Sequence, residues 1–355
     1  MYDYLFFNYQ RTNMDGTCRL REILSVVFIL VLSLVIVKSE STSSSSSKYS
    51  NLLSVDFYNT TCPNVESIVL ATMLQKFNET PTVAAGVLRI MQHDCFVEGC
   101  DASILLVSTP NNTAEKDAEI NLSLSGNGFD AVIRAKSAVE AQCPGVVSCA
   151  DIIVISARDL VSLVGGPFFP VLKGRRDGTV SQASRIAGNI PTPDMSLDEI
   201  IQIFSYKGLG IRDLVTLLGA HTIGFAHCTS FINRLYNFSS TSQVDPSLDP
   251  QFAHALQQTC PPVNFDPTAV TFNDPTTPFT FDNVYYKNAQ RGLSVMSSDQ
   301  VLFLNPRTRG IVNHFASNEE TFFSAFVTAI QHMGSMGVKT GMQGEIRKDC
   351  AFVNS

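Results

Sequence analysis

LRIMQHDCFVEGCDAS, residues 88–103, is the stretch on which the reading of this chain turns. Arg89 and His93 are four apart, so on a helix they share one face and can act together on one small ligand. Asp94 is turned away from that face. Continued helix would separate Cys95 from Cys100 by ~7.5 Å at 1.5 Å per residue, whereas a disulfide holds its Cα atoms within about 7 Å. If the two pair, the helix must stop near Cys95 and the chain must close a tight loop in which Gly99 takes a positive φ. That loop carries Asp94, Asp101, Ser103 and free carbonyls, oxygens suited to a hard cation such as Ca²⁺. One short segment thus presents a base and a guanidinium on one side and an oxygen cage on the other.

Around it lie 355 residues, 45% hydrophobic and 16% charged, enough for a sizeable core in one or two domains. The net charge is −7 and no basic run tracks phosphates, so nucleic acid is not an expected partner. Residues 23–37, ILSVVFILVLSLVIV, follow Arg11, Arg19 and Arg21. This run is short of the about 20 residues of a membrane span and suits the apolar core of a signal peptide. We expect a leader over residues 1–38, with Met14 as a second possible start, and a serine-rich linker over 39–50, SESTSSSSSKYS. Cleavage between Lys38 and Asn51 would leave no stable membrane insertion; a retained signal anchor is the alternative. Of nine cysteines, Cys18 leaves with the leader and eight remain, an even set that reads as a disulfide framework in a secreted chain. Local geometry argues only for Cys95–Cys100. Sequons at Asn59, Asn78, Asn111, Asn121 and Asn237 agree with secretion.

From Asn51 the pattern is mainly helical. Pro63 and Asn64 open a helix with Val65, Ile68, Val69, Met73 and Phe77 at helical spacing. Further helices are expected over 81–93, 129–142, 150–164, 196–206, 211–218, 229–236, 281–289, 306–317 and 319–333. Residues 165–178 read as a connector and the polar, Pro-rich 241–278 as loop and extended turns. No repeat or strand-rich region is visible, so the expected class is mainly α with few or no strands.

His221 lies at the end of an apolar helix in LVTLLGAHTIGFAHC, residues 214–228. A histidine on an apolar face is most often a hydrogen-bonded core residue. Its setting, GAHTIG after LVTLL, and the joint pattern RxxxHDCxxxGCDxS around His93 together resemble the proximal and distal signatures of the secreted plant haem peroxidases (class III), over most of residues 52–355.

The resemblance implies a haem-peroxidase fold over 51–355, with a distal half of about 51–190 and 333–355 and a proximal half of about 191–332 sandwiching one haem b. It implies His93 as general base and acid, Arg89 as the donor to a developing negative oxygen, and Asn121 as the acceptor that holds His93 in its tautomer, without a glycan. His221 would be the axial ligand, in keeping with the proximal histidine general to peroxidases, with Asp299 on its other ring nitrogen. Glu115 would join the distal network. Two Ca²⁺ ions are implied, one at Asp94, Val97, Gly99, Asp101 and Ser103, the other at Thr222, Asp274, Thr277, Thr280 and Asp282. Pro191 would line substrate access. The implied disulfides are Cys62–Cys143, Cys95–Cys100, Cys149–Cys350 and Cys228–Cys260, and glycans would sit on Asn59, Asn78, Asn111 or Asn237. The implied partners are hydrogen peroxide, small phenolic reductants and cell-wall polymers, for a monomer in the wall, apoplast or vacuole.

This chain departs from the family text at several points. Gln92 stands where a Phe usually precedes the catalytic histidine, beside Met91; Ile120 replaces a frequent Pro, Phe169 a Trp, and Lys173 an apolar residue. Gln92 motivates a rival reading, a wall or matrix protein that keeps haem, Ca²⁺ and disulfides for structure and recognition with little turnover. The retained Arg89, His93 and Asn121 speak against it. A hydrolase using His93 and Asp94 with another metal lacks clustered histidine ligands.

Overall fold

The computed structural model describes residues 52–263, 266 and 268–355; the expected leader, 1–38, and linker, 39–50, lie outside them. Four helices form the first layer: α1 Val65–Glu79, α2 Val83–Val97, α3 Gly126–Gln142 and α4 Cys149–Leu163. Helix α4 is buried on every face from Cys149 to Val161, because α1 and α2 both pack on it. Its first turn is capped twice. Ser148 accepts from the Asp151 amide at 3.1 Å, and the Asp177 carboxylate accepts from Cys149 and Ala150 at 3.1 and 2.9 Å, placing negative charge at the positive end of the helix. Helices α2 and α3 cross closely at Gly128, where a Cβ would stand 2.8 Å from Ile90 and 3.0 Å from the Gly86 backbone.

The remaining helices are α5 Leu197–Tyr206, α6 Ile211–Leu218, α7 Ile232–Leu235, α8 Pro250–Thr259, α9 Val284–Gln290, α10 Ser297–Leu304, α11 Pro306–Ser317 and α12 Glu319–Gly334. Phe281, Tyr286, Phe315, Phe322 and Phe326 form an aromatic core among α9, α11 and α12, most ring pairs tilted or edge-on, as the ring quadrupoles favour. A smaller core of Phe231, Leu235, Leu248, Leu256 and Val295 surrounds Cys228 and Cys260. The described residues hold one antiparallel sheet, β1 Phe225–His227 with β2 Val270–Phe272. Mainly α is thus the observed class.

Four expectations need correction. Helix α2 does not stop near Cys95; it continues to Val97, and the chain turns at Gly99, φ 99°, bringing the Cys95 and Cys100 Cα atoms to 4.0 Å. Any side chain at Gly99 would strike the Gly337 backbone, 2.5 Å from the would-be Cβ, so the C-terminal segment lies directly on this loop. The region 241–278 is not all loop: Asp249 accepts from Gln251 and Phe252 at 3.0 Å and starts α8 with Pro250 in its first turn, a start signal that reads as a turn when taken as composition. Helix α10 was absent from the expected set. The helix expected over 229–236 shrinks to a short 3₁₀ turn, Cys228–Ser230, and the single turn α7, broken at Phe231 with φ −147°.

Disulfides join Cys62–Cys143, Cys95–Cys100, Cys149–Cys350 and Cys228–Cys260. Cys149–Cys350 spans 201 residues and fastens the C-terminus to the start of α4, where Asp177 also accepts from the Arg347 amide at 2.9 Å. Replacing both Cys149 and Cys350 by Ser is expected to remove about 3–5 kcal/mol of stability, the size for a long loop. Guanidinium unfolding of the purified pair variant measures it, and a loss below about 1 kcal/mol would show that the backbone bonds around Asp177 hold this end without the disulfide.

Candidate active site

Helix α2 turns Ala85, Leu88, Arg89, Gln92, His93 and Phe96 toward a cavity of about 770 Å³. These positions recur every three or four residues, which is one helical face. Asp94 lies off that face and is buried against the following loop. Phe204, Leu217, Ile223 and His221 also line the cavity, as do Pro191 and Pro193. Leu122 and Phe225 line it while being 69% and 38% exposed, so the cavity opens to solvent beside them.

His93 is 3% exposed, and its Nδ1 lies 2.6 Å from Asn121 Oδ1. Asn121 in turn donates from Nδ2 to the Glu115 carbonyl at 2.7 Å, which fixes its amide oxygen as the acceptor for His93. His93 therefore carries its proton on Nδ1 and keeps the Nε2 lone pair free. Burial, reinforced by the Arg89 charge and opposed by Asn121, pushes His93 down to about 3, so it is neutral at ordinary pH. The Arg89 guanidinium also lines the cavity and is held by Ser123, through its carbonyl at 3.0 Å and its hydroxyl at 2.9 Å. Ser123 was not singled out in the sequence except as the last residue of the Asn121 sequon; nothing in its local pattern marks it as a guanidinium clamp.

His221 begins from the turn that follows α6, and its Nδ1 lies 2.9 Å from Asp299 Oδ1 on α10. The same oxygen accepts from Tyr285 Oη at 3.0 Å. Burial, with the Asp299 charge second, holds the Tyr285 phenol well above its usual range, so it stays a donor. The Asp299 carboxylate thus fixes the His221 proton on Nδ1 and leaves Nε2 for the cavity, toward which the side chain is 37% exposed. Tyr285 was missed by sequence reasoning, because its adjacency to Asp299 arises only when α9 packs on α10. Arg234, also missed, braces the approach to α10 through the Ser294 and Val295 carbonyls at 2.6 and 2.7 Å and Asp245 at 2.8 Å.

On the other side of α2, Asp94 accepts from the Ala102 and Ile104 amides at 2.9 and 3.3 Å, Asp101 from the Ser103 amide at 3.0 Å, and Ser103 Oγ donates to Glu115 Oε2 at 3.1 Å. Burial, then the neighbouring carboxylates, holds Asp94 well above the usual range and Glu115 at about 8. Glu115 Oε1 is buried without a hydrogen-bond partner. Three crowded acids and an orphaned oxygen fit a cation whose charge would offset them, although Lys339 already pairs with Asp101. Thr222 bonds Asp282 at 3.2 Å and Thr280 at 3.4 Å, and Asp274 accepts from the Thr277 amide at 3.0 Å. Burial and the nearby Asp282 push Asp274 up. Among the described residues no three His, Cys, Asp or Glu side chains converge on one point, so a cation at either place would rely on carbonyls and hydroxyls as well, which suits Ca²⁺. The residues also fit haem: an apolar-walled cavity holding one histidine nitrogen supported by a carboxylate suits a flat, mostly apolar iron macrocycle.

Gln92 lines the cavity on the α2 face that also carries Leu88, Arg89, His93 and Phe96. Lys173 is buried and pairs with Glu66, which also holds Arg158 at 3.0 Å, so the charge at this departure is compensated. Asn59, Asn78, Asn111 and Asn237 are exposed and Asn121 is buried.

A family model described as Peroxidase matches residues 69–318. Peroxidase 55 of Arabidopsis thaliana is 52% identical over 302 residues, covering 85% of this chain and 91% of the relative. Peroxidase 51 and Peroxidase 16 of the same plant are each 48% identical, over 84% and 85% of this chain and 91% and 93% of theirs.

The unfolded chain binds a proton at His93 near pH 6.5 and the folded chain only near 3. The stability contributed by the neutral form is present above the unfolded value and is lost as pH falls toward 3. Histidine NMR of the protein is expected to show one ring that stays neutral, with its proton on Nδ1, from pH 8 down to about 4. A His93 titration near 6.5 would contradict the buried, pre-set base.

Proposed function

The chain belongs to the peroxidase family, within the plant superfamily of haem peroxidases, and from that premise we propose that its cavity reduces hydrogen peroxide to water while oxidising small phenolic donors one electron at a time. The observation that carries the proposal is the pairing, in one cavity, of a neutral His93 with a free Nε2 and a His221 whose other nitrogen is held by a carboxylate.

Haem b, held by His221 Nε2, would supply an iron able to accept electrons from phenols and pass them to peroxide. The chain's own residues handle the protons and the charge. His93 Nε2 takes the proton from the near oxygen of hydrogen peroxide and returns it to the far oxygen as the O–O bond breaks, base and then acid in one turnover. Arg89, permanently charged and aimed by Ser123, supports the oxygen on which negative charge develops. Asn121 keeps His93 in the right tautomer throughout. Asp299 accepts from His221 Nδ1 and would make its Nε2 the stronger donor to a bound iron, and the bond from Tyr285 tempers that carboxylate. The balance is one peroxide and two phenols giving two waters and two phenoxyl radicals. Pro191, which lines the cavity, would be met by donors on their way in.

Further proposals attach to this reading. One Ca²⁺ would sit among Asp94, Val97, Gly99, Asp101 and Ser103 and the other among Thr222, Asp274, Thr277, Thr280 and Asp282, bracing α2 and the His221 turn respectively. Residues 51–355 would make up one haem-peroxidase domain, with a distal half of about 51–190 and 333–355 and a proximal half of about 191–332. Four disulfides and exposed sequons support a secreted glycoprotein of the wall, apoplast or vacuole acting as a monomer. Among the described residues no helix is long and apolar enough to cross a membrane. The low-turnover matrix reading is not favoured, since the proton-handling set is complete.

His93→Ala is expected to lower the rate of peroxide-dependent phenol oxidation by about 10²–10⁴-fold, the usual worth of a positioned proton-transfer group, with the haem absorbance of the resting protein retained. An unchanged rate would assign the proton transfer elsewhere. Gln92→Phe is expected to slow bulky organic hydroperoxides more than hydrogen peroxide in the same assay, because it narrows the α2 face of the cavity; equal slowing of both would leave Gln92 without a role in access.

A further inference from the structure

The two-stranded sheet beside the cavity carries a feature that peroxide chemistry does not use. In its register Phe225 faces Phe272 and His227 faces Val270, and alternate residues of a strand share a face, so these four side chains lie on one side of the sheet. Phe225 and His227 line the cavity. From Phe225 the aromatic surface runs outward: its ring centre is 5.0 Å from that of Phe272, which is 5.3 Å from Phe279 in edge-to-face contact. Phe225 is 38% exposed and Phe279 52%, with Val270 also exposed beside them. Phe279 does not line the cavity. The two end rings are open to solvent and Phe272 between them is half-buried, and a row of rings that leads away from an opening is poorly explained as core.

We propose that Phe225, Phe272 and Phe279 form a docking platform for a neutral donor made of linked phenolic rings, with one ring at the cavity opening and the next stacked on Phe279. This rests on the peroxidase reading above and extends it from single phenols to ring-linked ones. The aromatic character of the occupant follows from the platform, since offset and edge-on ring pairs add attraction beyond apolar contact. Its neutrality follows from the surroundings: the one ionisable side chain of residues 269–281, Asp274, is buried, and of the two paired strands only His227, opposite Val270 at the end away from Phe272, carries a titratable group. Its length follows from continuity, because the ring-to-ring steps begin at a cavity-lining residue and proceed to one outside it. The platform binds and orients; electron transfer remains with the cavity.

The test compares a neutral dimer of phenol units joined by a flexible ether link with the corresponding monomer, using haem-loaded wild type, Phe279→Ala and Phe279→Leu. Saturation-transfer NMR reports dimer binding without turnover, and steady-state kinetics reports KM for each donor. Phe279→Ala is expected to raise the dimer KM roughly threefold to tenfold, the worth of one aromatic contact, to weaken saturation of the distal ring, and to leave the monomer KM unchanged. Phe279→Leu, which keeps apolar bulk without a ring, is expected to resemble Phe279→Ala. Equal effects on dimer and monomer, or a Phe279→Leu protein that binds the dimer as wild type does, would overturn the aromatic platform. So would a concentration-dependent dimer of the protein that Phe279→Ala dissolves, since the face would then belong to a second copy. If wild type binds the dimer but oxidises neither donor, the platform stands and the peroxidase reading falls.

Discussion

The contact between His93 Nδ1 and Asn121 is the interaction on which the rest of the cavity depends. Burial alone would leave the ring neutral but free to carry its proton on either nitrogen. Asn121 decides which, and it can do so only because its own amide is fixed by the Glu115 carbonyl. Glu115 then reaches Ser103 through its carboxylate, so the chain His93, Asn121, Glu115, Ser103 runs from the cavity face of α2 around to the acid loop at its end. The base and the candidate cation cage are therefore one connected unit. A shift of the loop would reach the His93 tautomer through Glu115, whose carboxylate bonds Ser103 and whose carbonyl holds the Asn121 amide.

His221 is fixed by the same device with a charged acceptor. His93 leans on a neutral amide and stays a weak, available base; His221 leans on a carboxylate that also takes a bond from Tyr285. Two histidines of identical chemistry thus acquire different tasks from the group behind each ring. The segments bearing these groups are pinned from outside the cavity: the acid loop by the Gly337 backbone and by Lys339, and the stretch before α10 by the buried Arg234. The Gly337 pin is close backbone packing, whereas Lys339 and Arg234 satisfy buried polar groups across long stretches of chain, contacts that a low-dielectric interior strengthens.

The readable part of the site was the part encoded by helical spacing. Arg89 and His93 share a face because four residues are close to one turn, and Asp94 leaves that face for the same reason. Local propensity also marked most helices. It could not mark Ser123, Tyr285 or Arg234, whose roles come from packing between elements far apart in the chain. Helix α8 was hidden by its composition, since Asp249 and Pro250 are as common in turns as at helix starts. The small sheet escaped because strands of three residues carry too little alternation to detect, and the Phe225, Phe272 and Phe279 surface exists only once those strands pair.

The central claim is that this cavity takes peroxide apart and is reset by a phenol. Its most direct measurement is the absorbance of the mature protein, loaded with haem in the presence of Ca²⁺, before and after one equivalent of hydrogen peroxide and again after a phenol. The expected result is a haem band that falls and shifts with peroxide and returns with the phenol. A band indifferent to peroxide, in protein that has bound haem, would contradict the account.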